Sequence, residues 1–139
     1  MRTNDFNKTI SDHKMIVDLI EHAGNYVVSN YQAARENGLI NDFILDISFH
    51  DNEALLIVFT EYKEVKSSIY DFPFQFFISI KGEKLLCKIS CYTEQKEALL
   101  DICPDNKEQI ISFISFSLLT IEDKLNLSGI KNNHLNHLR

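Results

Sequence analysis

Apolar and polar residues alternate along much of the chain between residues 43 and 92, and a period of two is typical of β-strands that bury one face. The first part of this region reads FILDISFHDNEALLIVFTEY. If Asp51-Asn52 forms a two-residue turn, the segments on either side pair as a hairpin. One face of that hairpin then consists of apolar pairs: Phe49 opposite Ala54, Ile47 opposite Leu56, and Leu45 opposite Val58.

The same alternation continues from residue 72 to residue 92, where the sequence reads FPFQFFISIKGEKLLCKISCY. Gly82-Glu83 is predicted to be the turn, because glycine adopts the positive φ that a type II′ turn requires. The register again gives an apolar face: Ile80 with Leu85, Ile78 with Cys87, Phe76 with Ile89, and Phe74 with Cys91. Pro73 has no N–H to donate, so we expect it near a strand start or at a sheet edge.

Apolar residues recur at helical spacing both before and after the two hairpins, which predicts one helix on each side of them. Ser11 is predicted to cap a first helix, whose apolar residues recur every three or four positions up to the stop signal Asn37-Gly38. Gly24 lies in the middle of that helix and indicates a kink or break there. A second helix follows Pro104 and is apolar nearly all round, which is typical of a helix buried on several sides.

Together these elements predict a single domain over residues 1–139 with an α+β fold. The predicted sheet is four-stranded and antiparallel, made of two consecutive hairpins and flanked by an N-terminal and a C-terminal helix in the order α-β-β-β-β-α. We expect both helices to pack mainly on one sheet face. Residues 93–103 fit either a short helix or a connection, and residues 1–9 and 126–139 are candidates for flexible ends.

The net charge of the chain is −6, and its distribution is uneven. Between residues 36 and 64 there are seven acidic residues and one basic residue, so this segment carries the whole excess. The rest of the chain has thirteen acidic and thirteen basic residues. We expect no direct binding to nucleic acid, because phosphates must be neutralised by Lys and Arg.

Three cysteines do not make a disulfide framework in a chain of 139 residues. Cys87 and Cys91 are four residues apart on one predicted strand, so their Cα atoms are about 13 Å apart, whereas a disulfide needs less than about 7 Å. The first fourteen residues lack the apolar segment of a signal peptide, and the apolar stretch 110–121 is too short to span a bilayer. We therefore expect a cytoplasmic protein without membrane association.

Three groups of residues are candidates for chemistry, and each has a simpler interpretation. Cys103 precedes the second helix, whose N-terminus favours a thiolate, yet no partner base lies near it in sequence. His50-Asp51 offers a general base, but turns select Asp for backbone reasons. His134 and His137 would share one helix face as metal ligands, without a carboxylate or thiol to complete the site. We predict no catalytic residues, no metal and no cofactor.

The strongest candidate is a surface on the second face of the predicted sheet. There the first hairpin carries carboxylates around Ile44, Leu55, Ile57 and Phe59, and the second adds Phe77, Leu86 and Tyr92. Something must cover these apolar groups: a partner, or the first helix or the C-terminal tail folded across the face, which would leave the acids as a solvated rim. The predicted partner contacts are Asp42, Asp46, Glu53, Glu61, Tyr62 and Glu64.

We predict a non-catalytic protein whose acidic surface occludes a basic macromolecular partner such as a toxin or nuclease, in the manner of an immunity protein, antitoxin or small inhibitor. The alternative is a secretion-chaperone-like homodimer that holds an extended apolar segment of a client protein. An enzyme or small-molecule sensor, built around Cys103, His50 and Tyr92, is a third class. Strong salt sensitivity of binding favours the first class, and salt-insensitive binding by a dimer favours the second.

Overall fold

The computed structural model describes residues 3–61, 71–91 and 94–125. Within these ranges, two helices and five strands follow one another as α1 Thr3–Glu36, β1 Asp42–His50, β2 Glu53–Glu61, β3 Asp71–Lys81, β4 Lys84–Cys91, β5 Glu94–Asp101 and α2 Asn106–Leu125. Each strand pairs antiparallel with the next, so the spatial order is β1-β2-β3-β4-β5. Both helices lie on one face of this sheet, as predicted, and the fold is α+β.

Both predicted hairpin registers are confirmed. Leu45 lies opposite Val58 and Ile47 opposite Leu56 in the first hairpin, and the second has all four apolar pairs expected around its turn. Gly82 has the positive φ that the turn needs, at 66°. The two-residue turns therefore determine which side chains face the helices.

The predicted four-stranded sheet and the order α-β-β-β-β-α are wrong, because β5 adds a fifth strand. Its sequence, EQKEALLD, consists up to Leu100 of residues with high helix propensity. This segment nevertheless pairs antiparallel with β4 along its whole length, from Glu94 opposite Cys91 to Asp101 opposite Lys84. Those hydrogen bonds satisfy the backbone groups that β4 would otherwise leave open, so the tertiary context overrides the local propensity.

Helix α1 begins at Thr3 instead of the predicted Ser11, because no proline or glycine interrupts the residues before Ser11. Its end is the predicted one. Gly38 has φ 77°, and the N–H of Leu39 donates to the carbonyl of Ala34 at 2.9 Å. This is the bond that closes a Schellman motif, in which a glycine in the left-handed region ends the helix.

The core lies between the helices and one face of the sheet. Buried residues from α1 at helical spacing, from alternate positions of β2, β3 and β4, and from α2 form one cluster, with Phe74 and Phe76 among its largest members. Polar contacts also join the two helices: the Tyr26 and Ser115 hydroxyl oxygens are 2.6 Å apart, and Lys107 pairs with Asp18 at 2.9 Å.

Gly24 does not break α1; it allows the helix to lie close to the sheet. A Cβ atom at this position would be 3.3 Å from Cδ1 of Ile47 and 3.7 Å from Cδ1 of Leu56. The absence of a side chain therefore sets how closely the middle of α1 approaches β1 and β2.

The β2–β3 ladder contains a bulge near the start of β3. Val58 pairs with Phe74 and Thr60 with Asp71, so β3 has one residue more than β2 across this interval. The extra residue resets the alternation of side chains, and Pro73 lies at this irregular point, where a missing N–H is tolerated.

Replacing Gly24 with Val is expected to reduce the free energy of unfolding by about 1–3 kcal/mol, because the added methyl groups overlap the side chains of β1 and β2. Asn25→Val, at an exposed position on the same helix, is the matched control, and its effect should stay within about 0.5 kcal/mol. Urea unfolding of both variants measures the difference. A Gly24→Val variant as stable as the natural chain would contradict this packing.

Candidate interaction surface

The side chains that point away from the helices form what we term the outer face. On β1 and β2 it consists of Asp42, Ile44, Asp46, Ser48 and His50 beside Glu53, Leu55, Ile57, Phe59 and Glu61. Four of the six predicted contact residues thus lie on this surface, and Tyr62 and Glu64 fall outside the described residues. Neither described helix packs on it, since the buried positions of β2 all belong to the opposite face.

The four carboxylates on the outer face of this hairpin differ in how far they are already engaged. Asp42 accepts hydrogen bonds from Arg35, at 3.1 Å, and from the N–H of Phe43, at 2.9 Å. Glu61 accepts a bond from the side-chain amide of Asn41 at 3.3 Å, and it has no cationic partner among the described residues.

Asp46 and Glu53 are less engaged still. Asp46 is exposed and Glu53 half-buried, and neither forms an ion pair within the described part of the chain. Together with Glu61, they are the acidic groups on the β1–β2 half of this face that have no cation among the described residues.

The other half of the outer face, on β3 to β5, is close to electrically balanced. Lys84 pairs with Asp101 at 2.7 Å, and this hydrogen bond and charge hold the pKa of Asp101 below its usual value. The ammonium group of Lys88 lies 6.0 Å from the ring centroid of Phe77. The uncompensated negative charge is therefore concentrated on the β1–β2 half.

Large apolar groups accompany the carboxylates. Ile44 is 50% exposed and Phe72 57% exposed, and the Phe72 ring packs against Phe59 with centroids 6.2 Å apart. On the middle strands β3 and β4, by contrast, the outer-face residues Ser79 and Leu86 are buried. Exposed aromatic and branched side chains next to charges are typical of protein interfaces.

A groove of about 610 Å³ crosses the β2 to β5 part of the outer face. Its lining includes Leu55, Phe77, Lys88, Gln95 and Glu97. Phe77 is half-buried, whereas Tyr92, the third apolar residue expected on this side, lies outside the described residues.

The alternation of apolar and polar residues does not predict Phe72 on this surface or the contact that Arg35 of α1 makes with it. Phe72 joins the outer face only because the bulge shifts the side-chain alternation, and the Phe-Pro dipeptide is the one sequence signal for it. Arg35 reaches Asp42 only because the chain reverses at Gly38.

Of the candidate chemical groups, the described ones, Cys103 and His50-Asp51, lie at opposite edges of the sheet, next to β5 and β1. The thiol of Cys103 accepts a hydrogen bond from the side-chain amide of Gln109 at 3.3 Å, at the start of α2. His50 and Asp51 lie 3.6 Å apart on an open turn, where both side chains are more than four-fifths exposed. His134 and His137 lie outside the described residues, and the described ranges hold no cluster of three residues that suits a metal ion.

The three cysteines are free thiols, with Cys87 and Cys91 buried and Cys103 partly exposed. Burial raises the pKa of Cys87 to about 12. A thiol with such a pKa stays protonated and unreactive at neutral pH.

Alkylation should therefore distinguish the three thiols. At about pH 8, iodoacetamide is expected to modify Cys103 in the folded protein, while Cys87 and Cys91 react only after unfolding in urea. Peptide mass mapping of the native and unfolded samples shows which thiols are modified in each state. Modification of Cys87 at the rate of Cys103 in the folded protein would contradict the burial described above.

Within the described ranges, neither helix combines the length and apolar character needed to cross a membrane. No protein-family model, curated protein or solved structure matches the chain. Its function has to be inferred from its own residues.

Proposed function

We propose that this protein is a non-catalytic binder of a basic macromolecular partner and that the β1–β2 half of the outer face makes the contact. The observation that supports this most is the group of three carboxylates, Asp46, Glu53 and Glu61, which have no described cation and lie beside Ile44 and Phe59. We infer the role of an immunity protein, an antitoxin or a small inhibitor, since a surface that is both acidic and apolar suits binding to a basic toxin or nuclease.

Charge and apolar area have different roles in such a complex. Uncompensated carboxylates attract a cationic partner over roughly a Debye length, about 8 Å at physiological salt, and so speed its capture. Apolar groups such as Ile44 and the Phe59–Phe72 pair then lose contact with water and slow dissociation. Binding over a cationic active site would inhibit the partner by occlusion, without chemistry from this chain.

The secretion-chaperone-like alternative draws support from the groove that contains Leu55 and Phe77. An extended apolar segment could lie in it, with the outer faces of two copies sharing the client. Such binding would depend on apolar contact, so added salt would change it little. The uncompensated charge on β1 and β2 has no role in that function, and for this reason we favour the basic partner.

The double variant Asp46→Lys, Glu61→Lys is expected to bind the basic partner at least about tenfold more weakly at low salt, because two attractive charges become repulsive. The difference from the natural chain should shrink between about 50 and 300 mM NaCl as the charges are screened. Titration with the partner recovered from the native cell measures both effects.

The matched control is Glu21→Lys, Glu94→Lys, which makes the same change in net charge at exposed positions on α1 and β5. This control should bind almost as the natural chain does. Unchanged affinity of the Asp46, Glu61 variant, or equal losses in both double variants, would contradict the proposed surface.

A further inference from the structure

The two edges of the sheet differ in how well they are protected against a further strand. At one edge, β5 has charged residues at half of its eight positions, and Lys96 points inward, toward the helix side. Charged residues on an edge strand and charged side chains that point inward both disfavour pairing of that strand with another chain. At the other edge, β1 reads DFILDISFH, with five large apolar residues among nine.

The register shows which backbone groups of β1 point outward. His50 and Glu53 flank a two-residue turn, so they form a hydrogen-bonded pair, and every second residue back from His50 also bonds to β2. The residues between them, Phe43, Leu45, Ile47 and Phe49, direct their N–H and C=O groups away from β2.

At the start of β1, the outward N–H group already has an acceptor. The N–H of Phe43 donates to the carboxylate of its neighbour Asp42 at 2.9 Å, and the same carboxylate binds Arg35. The N–H groups of Leu45, Ile47 and Phe49 have no acceptor within the described residues. With respect to the described part of the chain, the stretch from residue 45 to residue 49 is thus an open row of backbone donors and acceptors.

The side chains along this open row differ between the two sides of the sheet. On the helix side, Leu45 and Ile47 are only half-buried and Phe49 is 44% exposed. On the outer side, Asp46 is exposed between them. If another strand paired with β1, every second side chain of that strand would lie on the helix side and cover the apolar groups. The remaining side chains would lie on the outer side, next to Asp46.

We propose that an extended segment of a basic partner adds to the edge of β1 as a sixth strand, with apolar residues on the helix side and Lys or Arg on the outer side. This binding mode rests on the proposed function and specifies how the partner is recognised. Charge favours a basic segment over a second copy of this chain, because a β1–β1 dimer would bring together two segments that each carry −6 between residues 36 and 64.

The test uses the full chain and synthetic nine-residue peptides that alternate Ile and Lys. The matched control has the same composition in the order Lys-Lys-Ile-Ile, which cannot separate the two residue types onto two faces of a strand. We expect the alternating peptide to bind at least about tenfold more tightly than this control. Methylating every second backbone nitrogen blocks one edge of the peptide only, so one of the two methylated peptides should lose binding and the other should retain it.

Amide hydrogen exchange followed by NMR locates the peptide. Exchange at Leu45, Ile47 and Phe49 should slow at least about tenfold on binding, because their N–H groups gain acceptors. The outward amides of β5, at Glu97 and Leu99, should keep their rates and serve as internal controls.

The outcomes separate the binding mode from the proposed function. If both methylated peptides bind like the parent, or if protection appears at β5, strand addition to β1 is wrong while a basic partner stands. If an alternating Ile-Gln peptide binds as tightly as Ile-Lys and protects the same β1 amides, the edge binds strands but the preference for a basic partner is wrong. A doubled solution mass without peptide, with protected β1 amides, would assign the edge to a second copy and contradict the proposal.

Discussion

The register of the β1–β2 hairpin determines which side of this sheet is apolar and which side is charged. A two-residue turn at Asp51-Asn52 aligns the strands so that Leu45, Ile47, Leu56 and Val58 face the helices. If the pairing of β1 with β2 slipped by one residue, the carboxylates of one of these two strands would point into the core, where an unpaired charge is costly. Helix packing therefore enforces the register, and the register in turn gathers the acidic side chains on the opposite face.

One-sided helix packing has a second consequence, at the edge of the sheet. α1 covers β1 only in part, so the strand retains both half-exposed apolar groups and an open row of backbone donors. The same strand carries Asp46, which has no described cation. Backbone, apolar surface and charge thus meet along one strand, and for this reason we propose a single basic, extended partner that would engage all three.

Sequence patterns predict most of the fold because two turns and strict alternation specify it locally. β5 is the exception, since EQKEALLD favours a helix and only its position after β4 makes it a strand. The acidic face is likewise predictable residue by residue, whereas the engagement of Asp42 by Arg35 and the exposure of Phe72 depend on a chain reversal and a bulge that alternation does not encode. Long-range geometry thus decides which members of the surface are available to a partner.

Methyl relaxation in the presence of a soluble gadolinium chelate tests whether the β1–β2 half of the outer face is open to solvent. We expect strong relaxation enhancement at the methyl groups of Ile44, which is half exposed, and little at Leu56 and Ile78, which are fully buried on the helix side. Protection of Ile44 as complete as that of Leu56 would show that this face is covered in the free protein, and the proposed docking surface would then be wrong.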